Sequence, residues 1–549
     1  MAPIEDILVN TSEPLRQPNP GCSAMAAAGE FLREYWLRFV TISAVVLIPC
    51  VWHHHLEAGD LPSHLYNAWL AQLIAKGQAP GLFLAPQWNN VLFDFALSGF
   101  GNLVGLDAAE KIAVCATVLI FFWGSFALAC NVSHTASLKT IPWFLLPCLA
   151  VFAYGYTFQM GFMNYYVSIG LAFFCLALLA RSDVRSTRSV LREGRVALFL
   201  IPLIWLAHPM GLFVLVSAGA YILLAKRLPP GRHVYLFSLA VLILLALHFY
   251  IKFRHWDIHW KADSAGLMVD GADQLMLYAP HYLLPVYLLK ALFLICLMVD
   301  AAGGWRTPRW RQSCLLPVQL YGLALLAICL LPSKMVVPHR FGTMDAIGFL
   351  SERLTSVAAI FACCLLGQIK PQKWHYAVFA AVAAMFFSYL YWDTAAIGRM
   401  EDQVERCVRS LPLGQRVIMK GWYLPGNRVS IDHIIDRACI GRCFSYANYE
   451  PALGQFRIRV QSENPFVLPT GVIDDAVTKG EYVVQQRDLP LSEIYQCNPG
   501  TTALCIRALE AGQKTEASIH PVRSNDSSDP GTRFRIGTES GGRSAVIPR

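Results

Sequence analysis

Apolar runs of about 17 to 25 residues recur along most of this chain, and nothing else in it constrains the fold as strongly. A bilayer core roughly 30 Å thick asks about 20 mostly apolar residues of each spanning helix. Stretches of that kind lie near 37–52, 111–130, 141–155, 161–180, 196–208, 210–225, 234–251, 280–300, 314–331, 353–369 and 375–392. Only 15% of the 549 residues are charged, too few to cover a soluble body of this size. The reading is an all-α polytopic membrane protein of about eleven transmembrane helices. The net charge of +8 sits in short loops between apolar runs, so it does not point to nucleic acid.

Basic loops orient the spans. Arg33 and Arg38 flank the first, which puts the N-terminus in the cytoplasm; the segment 36–52 lacks a small-residue cleavage site and reads as a retained span. Both flanks of 197–225 are basic, so it must turn near His208 and Pro209, and 141–180 must turn within "YGYTFQMGF" (154–162). The outside face then collects the long segments 53–110, 252–279 and 332–352, with everything after 392. The expected organisation is a cytoplasmic tail (1–35), a transmembrane domain (36–392), a small extracytoplasmic α/β domain (393–510) and a disordered tail (511–549).

In the C-terminal region "RMEDQVERCVRSL" reads as helix; "RVIMKGW", "FRIRV", "EYVVQ" and "ALCIRAL" read as strands. Its five cysteines are Cys407, Cys439, Cys443, Cys497 and Cys505. An oxidising compartment favours the pairs Cys439–Cys443 and Cys497–Cys505, leaving Cys407 odd. The competing reading is zinc at Cys439 and Cys443, with His433 the only imidazole nearby.

The densest group of titratable residues, "HHHLEAGDLPSHLYNAWLAQLIAKG" (53–77), opens the first outside loop. Its second half has the spacing of an amphipathic helix lying along the membrane surface, with Tyr66 and Trp69 at headgroup depth. Asp60, followed at Pro62 by proline, suits a helix N-cap and equally suits a catalytic base. His64 falls one turn along on the same face, placed for a proton relay or a metal. His53, His54 and His55 read as solvated interfacial residues.

An acidic residue soon after the first span, heading a helix in a long outside loop, resembles the integral-membrane glycosyltransferases of the GT-C superfamily. "GFMNYYVSIGLAFFCLALLA" (161–180) is similar to segments of uncharacterised bacterial members. The architecture resembles that superfamily over 36–510, the local motif over 59–77; the nearest further carboxylates are Glu57 and the more distant Asp94. The resemblance implies an inverting transferase in a bacterial inner membrane, with the C-terminal domain periplasmic. It would move a sugar from a polyprenyl-phosphate donor to a glycan, lipid or protein acceptor. Asp60 would be the base. Arg340 and Arg353, with His64, would meet the donor phosphate, and Trp256 would stack on its sugar. No cofactor is implied with certainty; a divalent metal stays open. A non-catalytic envelope-polysaccharide assembly protein is the alternative, and a transporter a third, for which Lys290 is the one ionisable residue well inside a span.

Overall fold

The computed structural model describes residues 24–132, 141–184, 186–254, 257–260, 267–304, 308–336, 346–420, 427–453, 456–468, 482–497 and 503–515. Arg340 and Trp256 lie outside the described residues. After α1 (Ala24–Val46) come two helices of the first loop, α2 (Leu61–Ala75) and α3 (Leu92–Val104). The body continues with α4 (Leu106–Asn131), α5 (Leu146–Ala153), the single turn α6 (Tyr156–Gln159), α7 (Met163–Arg181), α8 (Thr187–Ala207) and α9 (Pro209–Arg227). It closes with α10 (His233–Phe253), α11 (Leu283–Gly304), α12 (Pro308–Leu330), α13 (Leu350–Leu366) and α14 (Lys373–Arg409).

Every apolar stretch of the sequence overlaps one of these helices. Six, α4, α7, α9, α10, α11 and α14, are long and apolar enough to cross a membrane. Both expected turns are present. His208 alone separates α8 from α9, and its Nδ1 caps α9 by accepting the Met210 N–H at 3.1 Å. At the centre α4 lies against α7, backbone to backbone. A Cβ on Gly170 would sit 2.8 Å from the Phe121 Cα, so glycine is what lets the two helices close up, as small residues do inside membranes.

The C-terminal region adds α15 (Ile434–Cys439) and α16 (Tyr449–Leu453). The strands are β1 (Leu82–Leu84), β2 (Asp257–His259), β3 (Lys334–Val336), β4 (Ala346–Ile347), β5 (Gln415–Met419), β6 (Cys443–Ser445), β7 (Ile458–Val460), β8 (Leu491–Gln496) and β9 (Leu504–Leu509). One sheet has the order β6-β5-β8-β9, parallel except for β8–β9. β2, β3 and β4 form a small antiparallel sheet between loops.

Several expectations change here. "EYVVQ" is not a strand: Val483 makes only an isolated bridge, to Lys514, and that contact orders residues 511–515 against the domain. The centre of the sheet is instead β8, whose Leu491, Ser492, Glu493 and Ile494 are all buried, polar and apolar alike, so no alternation marks it. "FRIRV" supplies β7, but its partner is β1 of the first loop, Leu82 opposite Val460. The expected helix at 400 is the end of α14, whose 37 residues span about 55 Å at 1.5 Å each and so carry the last apolar run into the C-terminal region. Both expected disulfides are present, Cys439–Cys443 and Cys497–Cys505, and Cys407 is free. Bonded to each other, Cys439 and Cys443 offer no thiolate pair to zinc.

Candidate active site

α2 does not lie along a membrane surface. Leu65, Tyr66 and Leu70 are wholly buried, and so are Ser63 and Asn67 on its polar side. The C-terminal region covers both. The Ser445 N–H donates to the Tyr66 hydroxyl at 3.1 Å, Asn448 donates to the Asn67 amide oxygen at 2.7 Å, and Trp69 stacks on Phe444. An amphipathic pattern records that one side is apolar, not whether lipid or protein covers it.

Asp60 occupies the N-cap position of α2, with a proline in the first turn, yet its carboxylate makes no capping hydrogen bond. Its backbone is helical there (φ −80°, ψ −6°) where a capping residue is usually extended, which turns the side chain away from the free amides. The "YGYTFQMGF" turn holds it in place. Gly59 and Asp60 donate their N–H groups to the Gln159 and Met160 carbonyls at 2.7 and 3.0 Å. Gly161, at φ +76°, faces the Asp60 amide so closely that a Cβ would come within 2.4 Å of it. Only glycine fits this position on both counts.

Asp60 Oδ1 points to His433 Nε2, 3.6 Å away, and the carboxylate remains a quarter exposed. The other ring nitrogen of His433 meets Asp436 at 3.1 Å, and the Ser445 hydroxyl donates to the second Asp436 oxygen. One turn along α2, His64 Nδ1 is 2.7 Å from Asp94 Oδ1, and the other Asp94 oxygen accepts from Asn164 at 2.9 Å. Glu450 adds a second buried carboxyl beside that of Asp436, and its charge is felt by His64. Behind Asp60, Arg353 lies 4.4 Å over the Phe162 ring and 5.7 Å from that of Tyr165, and its Nε has no hydrogen-bond partner. Asp60 is close enough for its charge to favour that guanidinium. A cation stacked on two rings inside the protein is not a snorkelling one.

Burial alone would lower both imidazoles. Asp94 outweighs it at His64, and Asp436 with Asp60 outweighs it at His433, so each is held at about 9. Burial pushes the Glu450 carboxyl up to about 8, against the pull of His64. All three values lie above the ordinary ones of about 6.5 for His and 4.3 for Glu. Raised groups favour the folded state below their unfolded values and lose that contribution as pH rises through the folded ones. The melting temperature of the detergent-solubilised protein is therefore expected to fall between about pH 5 and 9, from the ordinary Glu value to the raised His values. His433→Gln should flatten part of that slope, and a melting temperature level across the range would contradict the arrangement.

Sequence reasoning anticipated Asp60, His64 and Arg353, and the structure brings these three into one region. It regarded Asp94 as distant; a carboxylate on the next helix turns out to bond His64. Glu57, the nearer in sequence, is buried elsewhere. His55 is not solvated either, since it is buried against Asp402 and Glu405 at 3.2 and 3.6 Å. His433, Asp436 and Glu450 were missed as site residues, because nothing local in 433–450 signals that it docks on α2. Among the described residues no group of three His, Cys, Asp or Glu side chains is placed to hold a metal ion. Asp94 pairs with His64, while Asp60 and Asp436 flank the two nitrogens of His433, an arrangement suited to proton transfer. A cavity of about 20 Å³ beside Asn67, Asp94, Ser98, Glu450 and Arg457 holds about one water, not a sugar, so a substrate would meet Asp60 from its exposed side. Compared with protein-family models, with curated proteins and with solved structures, the chain matches none.

Proposed function

We propose that this chain is an inverting membrane glycosyltransferase of GT-C type. It moves a sugar from a polyprenyl-phosphate donor to an envelope glycan, lipid or protein acceptor, at the outer face of a bacterial inner membrane. The observation that carries the reading is Asp60: its carboxylate is spared from capping, partly open, 3.6 Å from the His433 ring, and near enough for its charge to act on Arg353. The two disulfides support an oxidising compartment for the C-terminal region. With the N-terminus inside, an extracytoplasmic C-terminal region requires an odd number of spans, eleven in this reading. Lys290 gives the transport reading little, because Asp270 neutralises it at 2.7 Å.

In this reading the acceptor hydroxyl hydrogen-bonds to Asp60, which takes its proton as the oxygen attacks the anomeric carbon. The bond from that carbon to the phosphate oxygen breaks on the opposite side, and polyprenyl phosphate leaves with the electron pair. Arg353 meets the charge that develops on the phosphate, in a site where solvent screens it little. His433, kept charged by Asp436, orients Asp60. The C-terminal region thus completes the site.

The test is release of polyprenyl phosphate from a synthetic lipid-linked sugar by the purified protein. Arg353→Lys keeps the charge but not the planar fork, and transfer should fall by about tenfold to a hundredfold, the loss of one to two charge-assisted hydrogen bonds. Wild-type transfer by that variant would remove Arg353 from the phosphate site. No release by the wild type with any of a panel of donors would remove the function.

A further inference from the structure

A surface helix that the proposed reaction does not use carries the next inference. α3 has 13 residues, about 20 Å of helix, too short for a hydrocarbon core of about 30 Å. Its inner face is fully engaged. Phe93 and Leu97 are buried, Asp94 pairs with His64, and Ser98 accepts from Arg457 at 3.2 Å. Its outer face shows Phe100, Leu103 and Val104, with Leu103 80% exposed, while the Phe95 ring lies under the Arg457 guanidinium at 4.7 Å. Asp94, the only ionisable residue on the helix, is turned inward. A contiguous apolar face of this kind needs something to cover it.

Its neighbours indicate what. α3 is joined to the membrane-crossing α4 through Gly105 alone, so its C-terminal end cannot leave the level at which α4 begins. Its N-terminal end is tied to α8, the Val91 N–H donating to the Leu206 carbonyl at 3.0 Å. α8 exposes Phe199, Leu203 and Trp205 beside that tie. Both ends of α3 are thus fixed to helices of the body, and α8 exposes apolar side chains beside its end. Trp88, 74% exposed just before the helix, is the amphipathic anchor expected where such a surface meets headgroups.

We propose that α3 is embedded in the bilayer leaflet on its side of the molecule, with lipid acyl chains covering Phe100, Leu103 and Val104. Lipid then bears on the helix that holds Asp94 against His64. The interfacial helix of the first loop is α3, not α2. The inference does not depend on the transferase reading.

The whole protein would be reconstituted in phosphatidylcholine vesicles containing a phospholipid with a diazirine in its acyl chain, irradiated and mapped by mass spectrometry. Adducts are expected within 95–104 at a frequency similar to those at Phe199 and Trp205, and not at Leu413, which is equally exposed but lies in the C-terminal region. Adducts at Phe199 and Trp205 with none on α3 would overturn the proposal, whether water or a second copy covers the face. Leu103→Asp gives an independent readout. It should lower the melting temperature in vesicles while Leu413→Asp does not; a silent Leu103→Asp would also overturn the proposal.

Discussion

Asp60→Asn is expected to fold and insert like the parent protein and to transfer sugar about two to four orders of magnitude more slowly. Asparagine matches the shape of aspartate and can still accept a hydrogen bond from an acceptor hydroxyl, but it cannot take the proton. A helix-capping role would give a different pattern, a mild loss of stability on Asp60→Ala and none on Asp60→Asn. Here the carboxylate makes no capping bond, so both variants should melt within about 1 kcal/mol of the parent, the range of a part-exposed ion pair. Both should be inactive. The decisive measurement is the rate of polyprenyl phosphate release by folded Asp60→Asn protein. A rate near that of the parent would end the assignment of Asp60 as base. Asp94→Asn provides the contrast. It loosens His64 without touching Asp60, so it should slow transfer far less than Asp60→Asn does.

The largest loss of stability is expected from Arg437→Met. This arginine on α15 is buried, donates to both oxygens of Glu401 on α14 at 3.0 and 2.8 Å, to Glu110 on α4 at 2.6 Å, and to the Leu56 carbonyl at 2.9 Å. Glu57 lies beside it, buried, with one carboxyl oxygen unpartnered, and burial pushes its carboxyl well above the usual range, with Glu401 adding to the rise. Three carboxyl groups from three segments thus gather around one guanidinium. Removing one partner of a buried pair costs about 3–5 kcal/mol, because the charge left behind has neither water nor a counter-ion. Methionine fills the volume, so lost packing contributes little. The C-terminal region should then detach from the first loop and become sensitive to protease in the folded detergent-solubilised protein. Combining Arg437→Met with Glu110→Gln and Glu401→Gln should restore much of the loss, since the two carboxylates that bond the guanidinium are removed with it and burial already disfavours charge on Glu57. Unchanged protease resistance in the single variant would mean that water reaches the cluster.

Much of the helical body was legible in the sequence because a bilayer imposes a length and a composition that are both local properties. The break at His208 was legible for a similar reason, as proline cannot donate into the preceding turn. The disulfide pairs also followed from nearness along the chain. The site was legible only in part. Asp60 and His64 stood out because they sit close together in one short stretch. Asp94 did not, since nothing in the residues between 64 and 94 says that α3 folds back on α2. β8 escaped because a strand buried on both faces carries no alternation to read.

Composition and periodicity by themselves determined that this chain is helical and apolar enough for a membrane, where its helices begin, and which acidic residue heads the first loop. What each amphipathic face meets was decided by tertiary structure alone. α2 and α3 both have apolar sides; the C-terminal region covers α2, while Phe100, Leu103 and Val104 of α3 stay exposed. The same docking brings His433 to Asp60 across more than 370 residues of chain. The physical reason is that periodicity is set by each residue's neighbours in sequence, whereas burial and charge pairing are set by whatever surface arrives from elsewhere.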